Sequence, residues 1–242
     1  MDITTLLLSA LAALVALTLH EFAHGYVAYK LGDNTAKSLG RLSLNPMQHL
    51  DLFGAICLVL FHFGWAKPVP IDPRNFKNPR RGFAITALAG PLTNIVIAFF
   101  ASFLYLLCLY NLKETNSLFL NNLQVNTVLF LMYFFSINIG LGIFNLIPVP
   151  PFDGSRILNV ILPERLYFKV MKYEKQMYWG VIAWLFLGQY VYHALISVPF
   201  IATTPVLSSI AKFFSLSDIL GDAINAIANG MLKFWRLIPI FR

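Results

Sequence analysis

Long uncharged runs alternate with short charged segments along this chain. Residues 83–110 and residues 176–211 contain no Asp, Glu, Lys or Arg over 28 and 36 positions. About 20 apolar residues are enough to cross the hydrocarbon core of a bilayer. The pattern therefore predicts membrane-spanning helices, which we place at residues 3–30, 83–110, 125–147 and 177–201.

A shorter apolar run lies between the first two predicted spans, at residues 51–65. It is interrupted by His62, and basic residues flank it on both sides. Lys and Arg accumulate on the cytoplasmic side of a membrane, so two basic flanks favour a segment that enters and returns, with a tilted crossing as the alternative. The predicted fold class is an all-α polytopic membrane protein, a bundle of about 4 to 6 membrane segments.

The C-terminal segment has a helical stripe of apolar residues opposite a polar face, which predicts an amphipathic helix. The helix could lie at the membrane interface or pack on the bundle, and the pattern fits both arrangements. The chain is accordingly divided into a core at residues 1–162 and a region at residues 163–242 with a further span and this helix. The apolar positions are Leu216, Leu220, Ile224, Ile227, Met231 and Trp235.

Composition excludes a water-soluble domain, because only 12% of the 242 residues are charged and 58% are hydrophobic, against about a quarter charged in soluble proteins. The net charge of +7 comes from basic residues in short loops. The positive-inside rule explains those loops, so no nucleic-acid partner is predicted. The same rule places the N-terminus and residues 111–124 outside, and residues 31–81 and 154–175 inside.

The motif HExxH occurs once, as His20-Glu21-Phe22-Ala23-His24. Two histidines four residues apart lie about 40° apart around a helix, so both imidazoles can reach one zinc ion. Chance would produce the motif in about 0.002 of chains with this content of His and Glu. The pair also lies about 6 and 12 Å from the middle of the first span, where ionisable residues are costly and usually functional.

A catalytic zinc ion needs a third protein ligand. Asp153 follows the broken segment that contains Pro148, Pro150 and Pro151, and non-helical backbone at membrane depth must line a protein or water-filled cavity. A plain helix N-cap is the alternative role for this residue. The residues able to supply the third ligand are His49, Asp51, His62, Asp153 and His193.

In these features the chain resembles the site-2 protease family of intramembrane zinc metalloproteases. The resemblance rests on HEFAH, on Gly90-Pro91-Leu92-Thr93-Asn94, and on the segment from Asn145 to Gly154, which occur in the family's order and spacing. It covers residues 10–162 and is closest to the compact prokaryotic branch without a PDZ or nucleotide-binding domain.

The resemblance implies a role for each matching residue. His20, His24 and Asp153 would bind one zinc ion per chain, with Glu21 as general base and Asn94 and Asn145 supporting the substrate or oxyanion. The implied location is the prokaryotic cytoplasmic membrane, with a multi-pass topology and the active site nearer the cytoplasmic side. The predicted partners are membrane-protein substrates and the lipid bilayer; no regulatory partner or oligomeric state can be identified.

The predicted activity is hydrolysis of peptide bonds in or near transmembrane segments. Zinc would activate water and Glu21 would carry its proton to the leaving amine. A membrane zinc transporter and an inactive protease-like scaffold are the alternatives. A short extended or β-like stretch after the first helix could pair with unwound substrate, although a plain loop fits equally well. Its residues are Leu39, Arg41, Leu42, Ser43 and Leu44.

Overall fold

A computed structural model describes residues 2–54, 66–212 and 215–241. The predicted re-entrant or crossing segment at residues 51–65, including His62, lies almost entirely outside this part of the chain. The longer described helices are α1 (Ile3–Lys30), α3 (Pro79–Tyr110), α4 (Leu118–Asn145), α7 (Glu174–Ile196) and α10 (Leu216–Trp235). The shorter ones are α2 (Thr35–Ser38), α5 (Gly154–Ile161), α6 (Glu164–Met171), α8 (Pro199–Thr203) and α9 (Pro205–Lys212).

Three helices, α1, α3 and α4, are each long and apolar enough to cross a membrane. Helix α7 passes the same test only as two parts that are bent by 48° between Trp184 and Leu187, as in a broken span or a re-entrant loop. The described residues therefore provide three or four candidate spans. The predicted helical membrane bundle is confirmed.

The three long helices pack against one another through small residues. Ala12 and Ala16 of α1 and Ala98 of α3 are fully or almost fully buried. Helices in lipid associate mainly through close van der Waals contact, so small side chains at the interface allow the backbones to approach. This close approach brings polar side chains of α1, α3 and α4 together inside the bundle.

Local sequence signals set where these helices begin. The carboxylate of Asp2 accepts the backbone N–H of Thr5, and the side chain of Asn78 accepts that of Arg81 at the start of α3. Ser117 caps α4 in the same way through the N–H of Leu120. Each cap satisfies one of the N–H groups that have no partner at a helix start.

The amphipathic helix α10 packs on α3 and α4 instead of standing apart from the bundle. The indole N–H of Trp235 donates to the carbonyl oxygen of Phe99 and to the hydroxyl of Ser102, at 3.0 and 2.9 Å. Its apolar side contacts a buried cluster of α3 and α4. That cluster comprises Ala98, Ala101, Phe135 and Ile139, and it is contacted by Ile224, Ala228, Met231 and Leu232 of α10.

The stretch after α1 is irregular within the described residues. Residues 41–45 form bends and no ladder, and an isolated antiparallel bridge joins Leu50 to Ala66. The guanidinium of Arg41 donates to the carbonyls of Lys67 and Pro68. The predicted stretch at residues 41–44 is therefore irregular, neither helical nor part of a β-ladder, and Arg41 holds it beside Lys67 and Pro68.

Candidate metal centre

The two histidines of the HExxH motif are buried on the side of α1 that faces α3. Their exposed fractions are 4% for His20 and 6% for His24. Their Nε2 atoms lie 3.0 Å apart, one helical turn above each other, and the rings are nearly perpendicular. Spacing along one helix is sufficient to produce this pair.

The carboxylate of Asp153 completes a group of three potential ligands. Its Oδ2 lies 3.1 Å from His20 Nε2 and 3.2 Å from His24 Nε2, although the residues are more than 120 positions apart. Asp153 occupies the N-cap position of α5, but its side chain makes no capping hydrogen bond there. The carboxylate is directed at the histidines, which does not support the plain N-cap alternative.

Three of the other candidates for a third ligand, His49, Asp51 and His193, lie in the described part of the chain and have other partners; His62 lies outside it. The Nε2 of His49 lies 2.7 Å from the carbonyl oxygen of Ser43, and Asp51 accepts the N–H of Gly54. His193 is exposed on α7, and its Nε2 lies 3.1 Å from the amide of Gln189. Among the described residues, His20, His24 and Asp153 form the single group of three or more His, Cys, Asp or Glu side chains that could hold a metal ion.

Hydrogen bonds to the far side of each imidazole determine which ring nitrogen is free. His24 Nδ1 lies 2.7 Å from the carbonyl oxygen of Thr86, which can only accept, so Nδ1 carries the proton. His20 Nδ1 lies 2.5 Å from Asn94 Oδ1, while Asn94 Nδ2 donates to Asn138 Oδ1 at 2.7 Å. A neutral imidazole that carries its proton on Nδ1 has its lone pair on Nε2, so Nε2 is the atom of each ring that could bind a metal ion in the site.

This donor set fits a zinc ion. With both Nδ1 atoms protonated, two Nε2 lone pairs and a carboxylate oxygen, 3.0–3.2 Å from one another, form a compact set of acceptors that a cation can bridge. Tetrahedral zinc with bonds of about 2.0–2.1 Å places its ligand atoms about 3.3 Å apart. Two histidines and one carboxylate are also a ligand set of catalytic zinc sites, in which the fourth position is left for water or substrate.

Gly90 of α3 provides the space that this group occupies. A Cβ atom built on Gly90 would lie 2.5 Å from His24 Nε2 and 2.6 Å from His20 Cε1. Such distances are not tolerated between non-bonded atoms. Helix α3 can therefore approach the ligand atoms this closely only because residue 90 has no side chain.

The carboxylate of Glu21 is not part of the ligand group. Glu21 is half-buried, and its Oε2 accepts the backbone N–H of Val69 at 2.8 Å. It lies next to His20 in the sequence, on the flank of the face that carries both histidines. This position is compatible with the general-base role that the motif implies.

The two asparagines singled out in the sequence occupy different environments. Asn94 is fully buried, and both ends of its amide are engaged by His20 and Asn138. Asn145 ends α4 and donates to the carbonyl of Leu141 in its own helix, at 3.0 Å. The structure thus places Asn94 behind the candidate ligand His20, whereas a role in substrate binding for either asparagine stays a prediction.

Four residues of the site were not found from sequence: Thr86, Gly90 as a packing position, Asn138 and Val69. Asn138 could have been predicted to face the bundle interior, because a polar residue in the middle of an apolar span usually has a partner there. The contributions of Thr86 and Val69 are main-chain atoms. Almost every residue type has the same main-chain N–H and C=O groups, so the sequence could not indicate these two residues.

The fold and the site together define a helical membrane protein with a buried His2Asp centre suited to zinc. The family model for peptidase family M50 matches residues 8–188. The chain belongs to this family, the site-2 proteases, and is a metalloprotease. The resemblance predicted from the three motifs is confirmed.

Individual relatives are similar over long stretches. The "Putative zinc metalloprotease YwhC" of Bacillus subtilis strain 168 is 40% identical over 183 residues, which cover 74% of this chain and 80% of that protein. The zinc metalloprotease MJ0392 of Methanocaldococcus jannaschii is 29% identical over 159 residues, covering 65% of this chain and 35% of that protein. No solved structure gives a significant match.

Replacing Asn94 with Leu is expected to weaken zinc binding about 10- to 100-fold, the usual effect of removing a group that orients a metal-binding histidine. Leu has a similar size but cannot accept the Nδ1–H of His20. Zinc affinity would be measured by competition with a chelator. Asn145→Leu serves as the control and should bind zinc as the wild type does; equal affinities for the wild type and the Asn94 variant would contradict the orienting role.

Proposed function

We propose that this metalloprotease hydrolyses peptide bonds in or near transmembrane segments of other membrane proteins. The observation that carries the proposal is the position of the candidate zinc site. His20 and His24 lie within α1, a helix that meets the criteria for a membrane span, and are covered by α3, a second such helix. A protease site inside a helical bundle is within reach of substrates that are themselves in the membrane.

His20, His24 and Asp153 would hold the zinc ion, which as a Lewis acid would lower the pKa of bound water and polarise the scissile carbonyl. Residues of the chain orient the two imidazoles and transfer the proton. Asn94 and the carbonyl of Thr86 hold the two imidazoles in one tautomer. Glu21 takes the proton of the attacking water and delivers it to the leaving amine, which then departs as a neutral group.

Access to the site is provided on the side of Asp153. The side chain of Asp153 is 24% exposed, compared with 5% and 7% for the two histidines. Water and substrate would therefore approach past the proline-broken turn, where irregular backbone can line a polar cavity. A substrate helix must unwind before attack, because its carbonyls are otherwise hydrogen-bonded within the helix.

Pairing of unwound substrate with residues 39–44 belongs to the same proposal. Residues 41–45 are non-helical, as such pairing requires. However, the carbonyl of Ser43 already lies 2.7 Å from His49 Nε2. Any added strand would therefore use the main-chain groups of Leu42 and Leu44 rather than the carbonyl of Ser43.

The proposed location is the prokaryotic cytoplasmic membrane with the active site nearer the cytoplasmic side. The basic loops on either side of residues 51–65 support this orientation by the positive-inside rule. A zinc transporter would need further ligands along a path through the bundle. In the part of the chain that the structure describes, one cluster of ligands is found, which favours hydrolysis over transport.

The proposal is tested by measuring zinc content and cleavage of a membrane-embedded model peptide in wild type, His20→Ala, Asp153→Ala and His193→Ala. We expect about one zinc per chain and cleavage for the wild type and the His193 control. The His20 and Asp153 variants should lose both, because three protein ligands are needed to retain a catalytic zinc ion. Full zinc content in the Asp153 variant would place the third ligand elsewhere, and a zinc-loaded wild type without cleavage would contradict the protease function.

A further inference from the structure

Residues 66–72, which we call the strap, cross the side of α1 that carries Glu21. Hydrogen bonds to other segments hold the strap at both ends. Near its start, the N–H of Lys67 donates to the carbonyl of His49 at 2.8 Å, and Arg41 donates to the carbonyls of Lys67 and Pro68 at 2.8 and 3.2 Å. At its end, the N–H of Asp72 donates to Asp33 Oδ2 at 2.8 Å.

Val69, in the middle of the strap, contacts α1 with both its main chain and its side chain. Its N–H donates to Glu21 Oε2, and the residue as a whole is only 6% exposed. A Cβ atom built on Gly25 would lie 3.2 Å from Val69 Cγ1. Glu21 and Gly25 are one helical turn apart, so a single residue of the strap fits closely over two successive turns of α1.

The two prolines beside Val69 make this contact specific. Pro68 and Pro70 have no backbone N–H and a fixed φ angle. Between Lys67 and Ile71, the N–H of Val69 is therefore the one main-chain donor that the strap can present. The sequence Pro-Val-Pro thus directs a single hydrogen bond at the carboxylate of Glu21.

Asp33 anchors the end of the strap from a fully buried position just after α1. Its carboxylate accepts hydrogen bonds from Thr35 N–H and Oγ1 and from Asn75 Nδ2, in addition to the N–H of Asp72. Burial alone would raise the pKa of Asp33, but these hydrogen bonds lower it below its ordinary value. A buried carboxylate with this many donors is a rigid attachment point.

We propose that the strap positions the general base: the N–H of Val69 holds one oxygen of Glu21, and Asp33 acts through the strap to keep that N–H in place. The second oxygen of Glu21 is then oriented to take and return the proton. Asp33 and Val69 are positioning residues, since neither belongs to the candidate ligand group. This inference rests on the proposed function, in which Glu21 is the general base.

The first test compares Val69→Pro, which removes the N–H, with Val69→Ala, which keeps it and shortens the side chain. The kcat for a membrane-embedded model peptide should be at least about tenfold lower in the Pro variant than in the Ala variant, because small displacements of a catalytic group cost this much or more. Zinc content should be equal, and KM should change little. Equal kcat values, or a higher kcat in the Pro variant, would overturn the inference.

The second test does not depend on activity or on the folding of the Pro variant. Amide hydrogen exchange of residues 66–72 is measured in the purified full chain. Glu21→Ala and Asp33→Asn should each increase the exchange of the Val69 amide by about tenfold or more, because a lost hydrogen bond removes its protection. Asp222→Asn, whose exposed carboxylate pairs with Lys212 on α9, is the control and should exchange as the wild type does.

The two tests separate failure of this inference from failure of the proposed function. Unchanged exchange in the Glu21 and Asp33 variants would overturn the positioning role whether or not the protein cleaves peptide. Faster exchange together with an inactive, zinc-loaded wild type would instead contradict the protease function and leave the contact itself established.

Discussion

Replacing Glu21 with Gln is expected to reduce peptide hydrolysis by about 10²- to 10⁴-fold, the usual contribution of a general base. Gln has nearly the same size and can still accept the N–H of Val69 through its amide oxygen. It cannot take a proton from water at neutral pH. The candidate ligands His20, His24 and Asp153 are unchanged, so the variant should bind zinc as the wild type does.

The measurement is cleavage of a membrane-embedded model peptide alongside zinc content. Glu114→Gln, at an exposed position in the loop between α3 and α4, is the matched control and should cleave normally. A zinc transporter or an inactive scaffold would be nearly indifferent to the loss of Glu21. Zinc-loaded Glu21→Gln protein that cleaves at the wild-type rate would therefore exclude Glu21 as the base.

Replacing Gly90 with Ala is expected to weaken zinc binding by about 100-fold or more, the upper end of what losing support for a ligand costs. The added Cβ would lie 2.5–2.7 Å from ring atoms of both histidines. The backbone of α3 cannot move away easily, because Ala87 and Asn94 on the same helix are also buried. The rings themselves must move, and the ligand geometry is then lost.

The effect should come from the site and not from the helix, since Ala stabilises a helix by about 1 kcal/mol relative to Gly. Gly180→Ala is the control: it is also helical, and its added Cβ would meet no atom within 4 Å. Zinc affinity by chelator competition and helix content by circular dichroism would be measured for both. Normal zinc binding by the Gly90 variant would mean that α3 does not cover the ligand atoms as described.

Some of the site follows directly from the sequence. His20 and His24 are placed together by the helical repeat alone, and the broken segment around Pro148 and Pro150 indicated where a carboxylate could reach them. The apolar runs likewise predicted the helices that cross the membrane, because span length depends on the thickness of the bilayer and on little else. The order of the three motifs was sufficient to identify the family.

Other features depended on how the helices are turned towards one another. The resemblance implied that Asn94 supports the substrate or oxyanion, and that role stays a prediction. Only the structure places Asn94 fully buried beside His20 and hydrogen-bonded to Asn138 of another helix. The amphipathic pattern of α10 fitted the interface and the bundle equally, and Trp235 shows that the helix packs on the bundle. A local sequence pattern does not specify how a helix is rotated about its own axis or how deep it lies relative to the next helix.

The sequence by itself thus determined which residues could bind zinc, which one could act as the base, and which segments are long and apolar enough to cross a membrane, because each depends on residue type and on spacing within one segment. The tertiary structure alone decided that Asp153 reaches both histidines, that Gly90 makes room for them, and that the N–H of Val69 meets Glu21. The physical reason is that these contacts join groups far apart in the chain, and their distances are set by the packing of whole helices and by main-chain atoms that every residue has.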